Sequence, residues 1–293
     1  MPRLFKGDVY IEIDTADETI KLDVIDEVTQ RRLDVDFDCL KTRSSHPNKS
    51  TVTIYNLNPT TRAKVETEGE VIRVFAGYDR NEKLIATGNI VIAESRRDIP
   101  DWATQIFFGD GQIPYENAVT SVSFSEGTNV KEVIKRLAND FGLAIKKIPE
   151  EINDVLNSGL TLDGLTKDSL NEVAQYFDFE WSIQDDEMVF TKEQEPVDDE
   201  VVQINSGTGL LEAPIRTTSG IKLRAQLNTD VRPDKIIEVT SDSWQVENGQ
   251  TAVFIDDDKS YNGLYLCRNV TFTGNNYGGN FDVEIEAREY DAS

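Results

Sequence analysis

One histidine and two cysteines in 293 residues leave little for chemistry to draw on. His46 stands beside a proline in the polar loop SSHPNKS, which reads as a solvated loop residue rather than a general base. His-dependent triads therefore have almost nothing to be built from. Cys39 and Cys267 are far apart, each inside a run that reads as a strand, and are expected to be buried free thiols. The lack of CxxC or any Cys/His cluster excludes a structural zinc site. No apolar run approaches the ~20 residues of a membrane span. The N-terminus, MPRLFKGDVYIEI, runs directly into a strand pattern without the form of a signal peptide. There is no GxxxxGK phosphate loop, and the glycine-rich TGNNYGGN lacks both its lysine and its following helix. Asp256, Asp257 and Asp258 in IDDDKSYNG lack the ligand spacing and closing glutamate of a calcium loop, so a solvated turn is expected. The expected set of catalytic, cofactor-binding and metal residues is therefore empty.

Positive charge is scarce too. Fifty-four acidic and 30 basic residues give a net charge of −24. Static nucleic-acid binding needs a basic footprint, and docking on anionic lipid needs the same. Two readings remain: a protein kept apart by self-repulsion, or a surface that DNA slides past without sticking.

What is present is mostly strand pattern. Val9, Ile11 and Ile13 alternate with Tyr10, Glu12 and Asp14. An extended run over Arg32 to Thr42 pairs with Thr51 to Leu57 across the loop that holds His46. Asn58-Pro59 signals an N-cap and first turn, so a helix is predicted over Pro59 to Glu68, stopped by Gly69. Strands resume at Val71 to Tyr78, Leu84 to Glu94 and Trp102 to Phe108. Short strands with one helix suggest a small antiparallel barrel or sandwich.

The middle differs and holds an internal repeat. Ser123 to Ile145 and Thr161 to Trp181 align at an offset of 36, matching Ile134, Leu137, Ala138 and Phe141 with Leu170, Val173, Ala174 and Phe177. Each copy reads strand, helix, strand, with one apolar helix face. Asn129 with Glu132 suggests a capping box, and Thr166 a cap for the second helix. A hairpin is expected at Asp185-Asp186, and two such copies make a compact α+β unit.

The acidic run Glu193 to Glu200 then leads into a seam, Gly207 to Val239. Pro214 and Gly220 are expected to bracket an exposed turn. Ile221, Leu223, Ala225 and Leu227 mark the buried face of a strand, Arg232-Pro233-Asp234 a turn, and Ile236 to Val239 a further strand. Strands are also predicted at Lys235 to Thr240, Thr251 to Ile255, Leu264 to Phe272 and Phe281 to Glu289. In the last, Phe281, Val283, Ile285 and Ala287 face in, and Asp282, Glu284, Glu286 and Arg288 face out. TGNNYGGN joins the final pair as a long hairpin. Trp102, Trp181 and Trp244 lie in or beside strands and are expected to be core residues rather than sugar platforms. The predicted fold class is β-rich α+β, with two small antiparallel β-barrel domains (residues 1–111 and 201–293) flanking an α+β insert (112–200).

The seam also carries a resemblance. GLLEAPIRTTSGIKLRAQLNTDVRPDKIIEV is similar to the opening of the second barrel in baseplate hub proteins of contractile-tailed bacteriophages, the Mu-like hub group. The shared features are Gly207 to Gly209, Pro214, Thr217 to Ile221, Leu227-Asn228 and Arg232-Pro233. Phe37 to Arg62 and VFAGYDRNEKLIATGNI followed by DWATQIFFGDG resemble the group's first barrel. LYLCRNVTFTGNNYGGNFDVEIEA resembles its closing hairpin. Asp234 departs from the group, standing where a glycine is common. The resemblance implies a homotrimer in which two barrels per subunit form a pseudo-six-fold ring between a six-fold tail tube and a three-fold spike. It implies tail tube or tube-initiator, central spike, tape measure and wedge proteins as partners, and DNA only in transit through the lumen. It further implies a structural virion protein, not an enzyme, assembled in the host cytoplasm. The alternative from another class is a secreted carbohydrate-binding or carbohydrate-active β-protein, which needs exposed aromatics and paired carboxylates in a cleft.

Overall fold

The computed structural model describes residues 7–23, 33–193, 195–247 and 261–291. Residues 7–109 form β1 (Gly7–Thr15), β2 (Thr19–Asp23), β3 (Val35–Thr42), β4 (Lys49–Tyr55), α1 (Pro59–Glu68), β5 (Gly69–Tyr78), β6 (Asn81–Asp98) and β7 (Asp101–Gly109). Asn58 caps α1 by accepting from the Thr61 amide, and Pro59 opens it, as the sequence predicts. Gly69 ends α1 in an extended conformation, φ −67°, rather than a left-handed cap, because it is already the first residue of β5.

The middle segment forms α2 (Gln112–Asn117), β8 (Val119–Phe124), α3 (Val130–Phe141), β9 (Ala144–Lys147), β10 (Leu160–Leu165), α4 (Thr166–Phe177), β11 (Glu180–Gln184) and β12 (Glu187–Thr191). Helices α3 and α4 are separated by the 36 residues of the predicted repeat. Their apolar faces meet β11 and β12 in one hydrophobic cluster that includes Ile134, Leu137, Leu170, Val173 and Trp181. The caps differ from expectation. Asn129 accepts from Lys131 N, but no bond from Glu132 completes a box. Thr166 is the first helical residue and its hydroxyl bonds Thr120, so Leu165 occupies the cap position with no side-chain bond.

The last segment forms β13 (Val201–Ile204), β14 (Ile215–Thr217), β15 (Gly220–Gln226), β16 (Ile236–Val239), β17 (Gln245–Val246), β18 (Gly263–Asn275) and β19 (Phe281–Glu289). Between Pro214 and Gly220 lies the strand β14 as well as a turn; only Thr218-Ser219 form the exposed bend, and Pro214 is buried. Gly220 is obligatory in this turn. Its φ is +151°, and a Cβ there would meet the Ala287 carbonyl oxygen at 2.1 Å. The strand predicted over Thr251 to Ile255 and the acidic Asp256 to Asp258 lie outside the described residues.

Strands from the first and last segments form one 14-stranded sheet, ordered β17-β14-β15-β19-β18-β3-β4-β7-β6-β5-β1-β2, with β16 on β18 and β13 on β16. Among the described residues no strand pairing closes either half on itself. The halves join where β18 pairs antiparallel with β3, from Asn269 opposite Thr42 to Asn275 opposite Asp36. One apolar core spans both halves, from Val9 and Ile11 through Cys39 and Ile106 to Phe272 and Ile285.

The two halves repeat one strand order. In the first it is β3-β4-β7-β6-β5-β1, in the last β14-β15-β19-β18-β16-β13. Bulges correspond as well: the ladder shifts between Ile90 and Ile92 in β6 and between Cys267 and Asn269 in β18. The repeat departs at its outer strand, since β1 is antiparallel to β5 whereas β13 is parallel to β16.

Candidate functional site

Three segments meet at the end of β3. Lys41 is wholly buried, with Nζ 3.0 Å from Asp110 Oδ2 and 2.6 Å from Asp185 Oδ1. Asp110 directly follows β7. Asp185 and Asp186 form the β11–β12 turn with φ of 54° and 61°, the left-handed pair that a two-residue hairpin needs. Asp186 accepts from the Gly111 amide (3.2 Å) and the Thr87 hydroxyl (3.3 Å). Asn48 donates to Asp110 and to the Ile183 carbonyl. The predicted hairpin thus plugs its turn into the sheet.

The last segment enters through Arg232-Pro233-Asp234. Arg232 is held over the Phe272 ring, 5.1 Å from its centroid, and donates to the Leu84 carbonyl of β6. Asp234 is buried with φ +63°, a conformation that glycine adopts freely and Asp tolerates. That is the physical sense of an Asp where the hub group commonly has glycine. Its carboxylate lies 2.8 Å from Arg43 Nε, an ion pair without the alignment of a hydrogen bond. Arg43 also reaches Glu180 (3.0 Å) and donates to Thr191 (2.8 Å) in the insert. The acidic run before β13 is strapped down: Lys235 Nζ lies 2.5 Å from Asp198 and 3.0 Å from Glu200, and Lys147 donates to the Pro196 carbonyl.

Burial sets the proton affinities here. It pushes Asp110 up to about 6 against the pull of Lys41, and Asp234 up to about 6 against Arg43. For Asp185 burial acts upward but Lys41 and Arg232 outweigh it, so its carboxyl stays below the usual range. Lys41 is held above the usual lysine range because Asp110 and Asp185 outweigh its desolvation. Such a cluster adds little net stability while complete, and its loss is costly because a charge is then left buried and unpaired. It clamps the geometry of three segments.

Other sequence-marked residues fall as follows. His46 is exposed, its ring near Ser44 and Tyr115. Cys39 and Cys267 are free and wholly buried; burial pushes the Cys39 thiol up to about 12 and Cys267 up as well. Trp181 and Trp244 are core, but Trp102 is 39% exposed at the open end of β7, with Arg62 stacked 4.0 Å from its centroid. Asp282 was expected to face out; it is buried, because Arg224 and Thr273 bind it across the neighbouring strands. The TGNNYGGN hairpin is also a dock: Asn276 is buried, accepting from Val35 N and donating to Leu33 O. Among the described residues no group of His, Cys, Asp and Glu is placed to hold a metal, and no helix is long and apolar enough to cross a membrane.

Among the described residues, exposed apolar side chains gather on the sheet along the far half of β6. Strand β6 is 18 residues long, yet β5 pairs only with Asn81 to Asn89. Beyond the bulge, Ile92 to Asp98 pair, among the described residues, with β7 alone. Val91, Ile92, Ile99, Trp102 and Phe107 are all exposed there, beside Arg96 and Arg97, which make no ion pair among the described residues.

The fold has solved relatives. The 43 kDa tail protein of prophage MuSo2 from Shewanella oneidensis superposes with a TM-score of 0.62 at 6% identity, covering 96% of each chain. A tail protein from Neisseria meningitidis MC58 gives 0.60 at 10% identity over 97% of each chain. The E. coli c3393 protein, described as a type VI secretion component with similarity to T4 tail proteins gp27 and gp5, gives 0.56 at 12% identity over 89% of this chain and 74% of its own. No curated protein sequence matches. The sequence profile of the family described as baseplate hub gp41 matches residues 11–254, and the chain, with its β-rich α+β fold and tail-protein relatives, belongs to that baseplate hub family.

Proposed function

We propose that this protein is the architectural hub of a phage tail baseplate or related contractile particle, working as a homotrimer whose two β units per copy supply six similar positions in a ring. The observation that carries this reading is the repeated strand order, β3-β4-β7-β6-β5 and β14-β15-β19-β18-β16, within one sheet. One chain then occupies two of six positions, and a three-fold assembly can meet a six-fold tube on one side and a three-fold spike on the other. In this reading residues 1–111 and 201–293 are the ring units and 112–200 is a peripheral module.

The partners are tail tube or tube-initiator, central spike, tape measure and wedge proteins, with assembly in the host cytoplasm. The exposed sheet face suits a lumen for tape measure protein and DNA. Asp36, Asp38, Thr271, Thr273, Glu284 and Glu286 lie on it, and two cations beside them, Lys222 and Arg224, are paired with Glu284 and Asp282. Phosphates are repelled from such a face rather than trapped. No residue is assigned a catalytic role. Native mass spectrometry and electron microscopy of the chain, alone and with its spike, test the reading. Three copies in a ring with six similar lobes are expected; a single copy at every concentration, with or without the spike, sinks it.

A further inference from the structure

The repeated strand order makes one half of the molecule a template for the other. β18 is paired with β19 along one side. Along its other side it pairs first with β16, Gly263 to Leu266, and beyond its bulge with β3 of the first unit. Its counterpart β6 pairs with β7 along one side and with β5 up to its bulge. Beyond the bulge β6 has no second strand partner among the described residues, and that half is where the exposed apolar residues gather. An open edge of this kind is a site for strand addition.

The template also names the occupant. In the first unit β3 pairs with β4 on one side and with β18 on the other. The counterpart of β3 is β14, which pairs with β15 just as β3 pairs with β4. On its outer side β14 carries, among the described residues, the two-residue β17, held by bonds from Gln245 to the Pro214 carbonyl (2.9 Å) and from Glu247 to the Arg216 carbonyl (3.0 Å). Within one chain β14 and the free half of β6 lie at opposite ends of the strand order from the β18–β3 joint, so the two meet only between chains.

We infer that the free half of β6, Val91 to Asp98, adds antiparallel to the β14 edge of a second copy, taking the place of β17 and repeating the β18–β3 joint. This inference rests on the hub reading and deepens it: three joints within chains and three between them alternate around the ring. Register follows by carrying the β18–β3 pairs across. Ile92 corresponds to Asn269 after the bulges, and Arg216 to Cys39, since each faces the matching residue of the next strand (Ile221 and Ser50). Thr271 opposite Leu40 then becomes Glu94 opposite Thr217, Thr273 opposite Asp38 becomes Arg96 opposite Ile215, and Asn275 opposite Asp36 becomes Asp98 opposite Ala213.

The chemistry at that register fits. Ile99, 81% exposed, comes opposite Glu212 at the end of the ladder, one step before Leu211, 50% exposed. Arg97 lies diagonally from the exposed Glu212, which gives an unpaired cation a carboxylate in reach. Two copies of a chain at −24 repel one another, so a joint built on apolar side chains and a local opposite charge is what the overall charge demands.

Cysteine pairing tests the register. Glu94→Cys with Thr217→Cys places thiols opposite each other in an antiparallel pair, with Cα atoms about 4.5–5.5 Å apart and within disulfide reach. The native Cys39 and Cys267 are wholly buried and give no background. Mild oxidation is expected to yield a covalent trimer on a non-reducing gel. Glu94→Cys with Arg216→Cys, one residue out of step, puts the thiols on opposite faces, and the covalent trimer is lost. In the unmodified protein, amide exchange over Val91 to Asp98 is expected to slow when copies associate. Three copies by native mass spectrometry with no cross-link, with equal cross-linking of the two pairs, or with fast exchange over Val91 to Asp98 overturn the joint but leave the hub. A protein that stays a single copy overturns both.

Discussion

The two halves of the sheet share a strand order but not a completeness. The outer half of β18 is sealed on both sides and sends Val270 and Phe272 into the common core. The outer half of β6 is sealed on one side and carries Ala93 and Ser95 at the corresponding positions. A strand flanked on both edges holds large apolar residues out of water; one that waits for a neighbour carries small ones inward, with Ile92, Glu94, Arg96 and Asp98 outward. The same contrast holds across the joint. Lys41 of β3 lies in a closed ionic cluster, while its counterpart beyond β14, Thr218, is exposed.

That last pair gives the sharpest way to break the comparison. Lys41→Ala leaves Asp110 and Asp185 facing each other without a cation, and is expected to destabilise the protein by about 3–5 kcal/mol in a denaturant titration. Thr218→Ala should stay within about 0.5 kcal/mol. Equal effects would mean that the cluster is not the clamp described above. Phe272→Ala comes next. It empties a fully buried site beneath Arg232 and should cost about 3–4 kcal/mol, whereas Ser95→Ala at the matching position of β6 should cost less than about 1 kcal/mol in the dissociated chain.

Much of this was legible in the sequence, because alternation and helical period report which face is buried. The face of β1, the bounds of α1, the 36-residue spacing of α3 and α4, and the Asp185-Asp186 hairpin are local signals. What was not legible depends on partners distant in the chain. Asp282 reads as an outward residue until Arg224 is placed beside it. Trp102 reads as core until the far half of β6 is found without a second neighbour. Thr166 reads as a cap until Thr120 takes its hydroxyl. The ionic cluster joins Lys41, Asp110, Asp185, Arg232 and Asp234, and no periodicity connects them; the one hint was an Asp at a turn position that favours glycine. β2 and the short α2 carried too few residues for a pattern to register.

Acidity separates the joint from the rest of the charge. Residues 112–200 hold 20 of the 54 carboxylates and only 7 of the 30 basic residues, so the insert carries more than half of the net charge. In the cluster the sign is set by Asp110 and Asp234, whose folded values near 6 lie above an ordinary aspartate. A raised carboxyl binds its proton more tightly folded than unfolded, so its contribution is fully present below about pH 4 and is lost as pH rises through 6. Stability is therefore expected to increase as pH is lowered from 8 to 5.5, with the melting temperature rising by about 2–4 °C for each kcal/mol gained. Asp110→Asn should flatten that slope by differential scanning fluorimetry, and an unchanged slope would remove Asp110 as its source.

The smallest effect belongs to the exposed face of the last segment. Lys222 reaches Glu284 and Glu286 across β15 and β19, and all three side chains are more than a third exposed. Water and salt screen such a pair, and holding two long side chains in place offsets most of the attraction, so Lys222→Ala is expected to change stability by less than about 1 kcal/mol. Its value to the comparison lies in contrast with Lys41. Both are lysines placed between two carboxylates on the same sheet, and they differ mainly in burial. If chemical denaturation gave the two substitutions similar costs, burial could not be what makes the β3 joint rigid. A cost for Lys222→Ala that vanished in 0.5 M salt, beside an unchanged cost for Lys41→Ala, would instead assign the difference to desolvation, since at that ionic strength exposed charges are screened beyond roughly 4 Å.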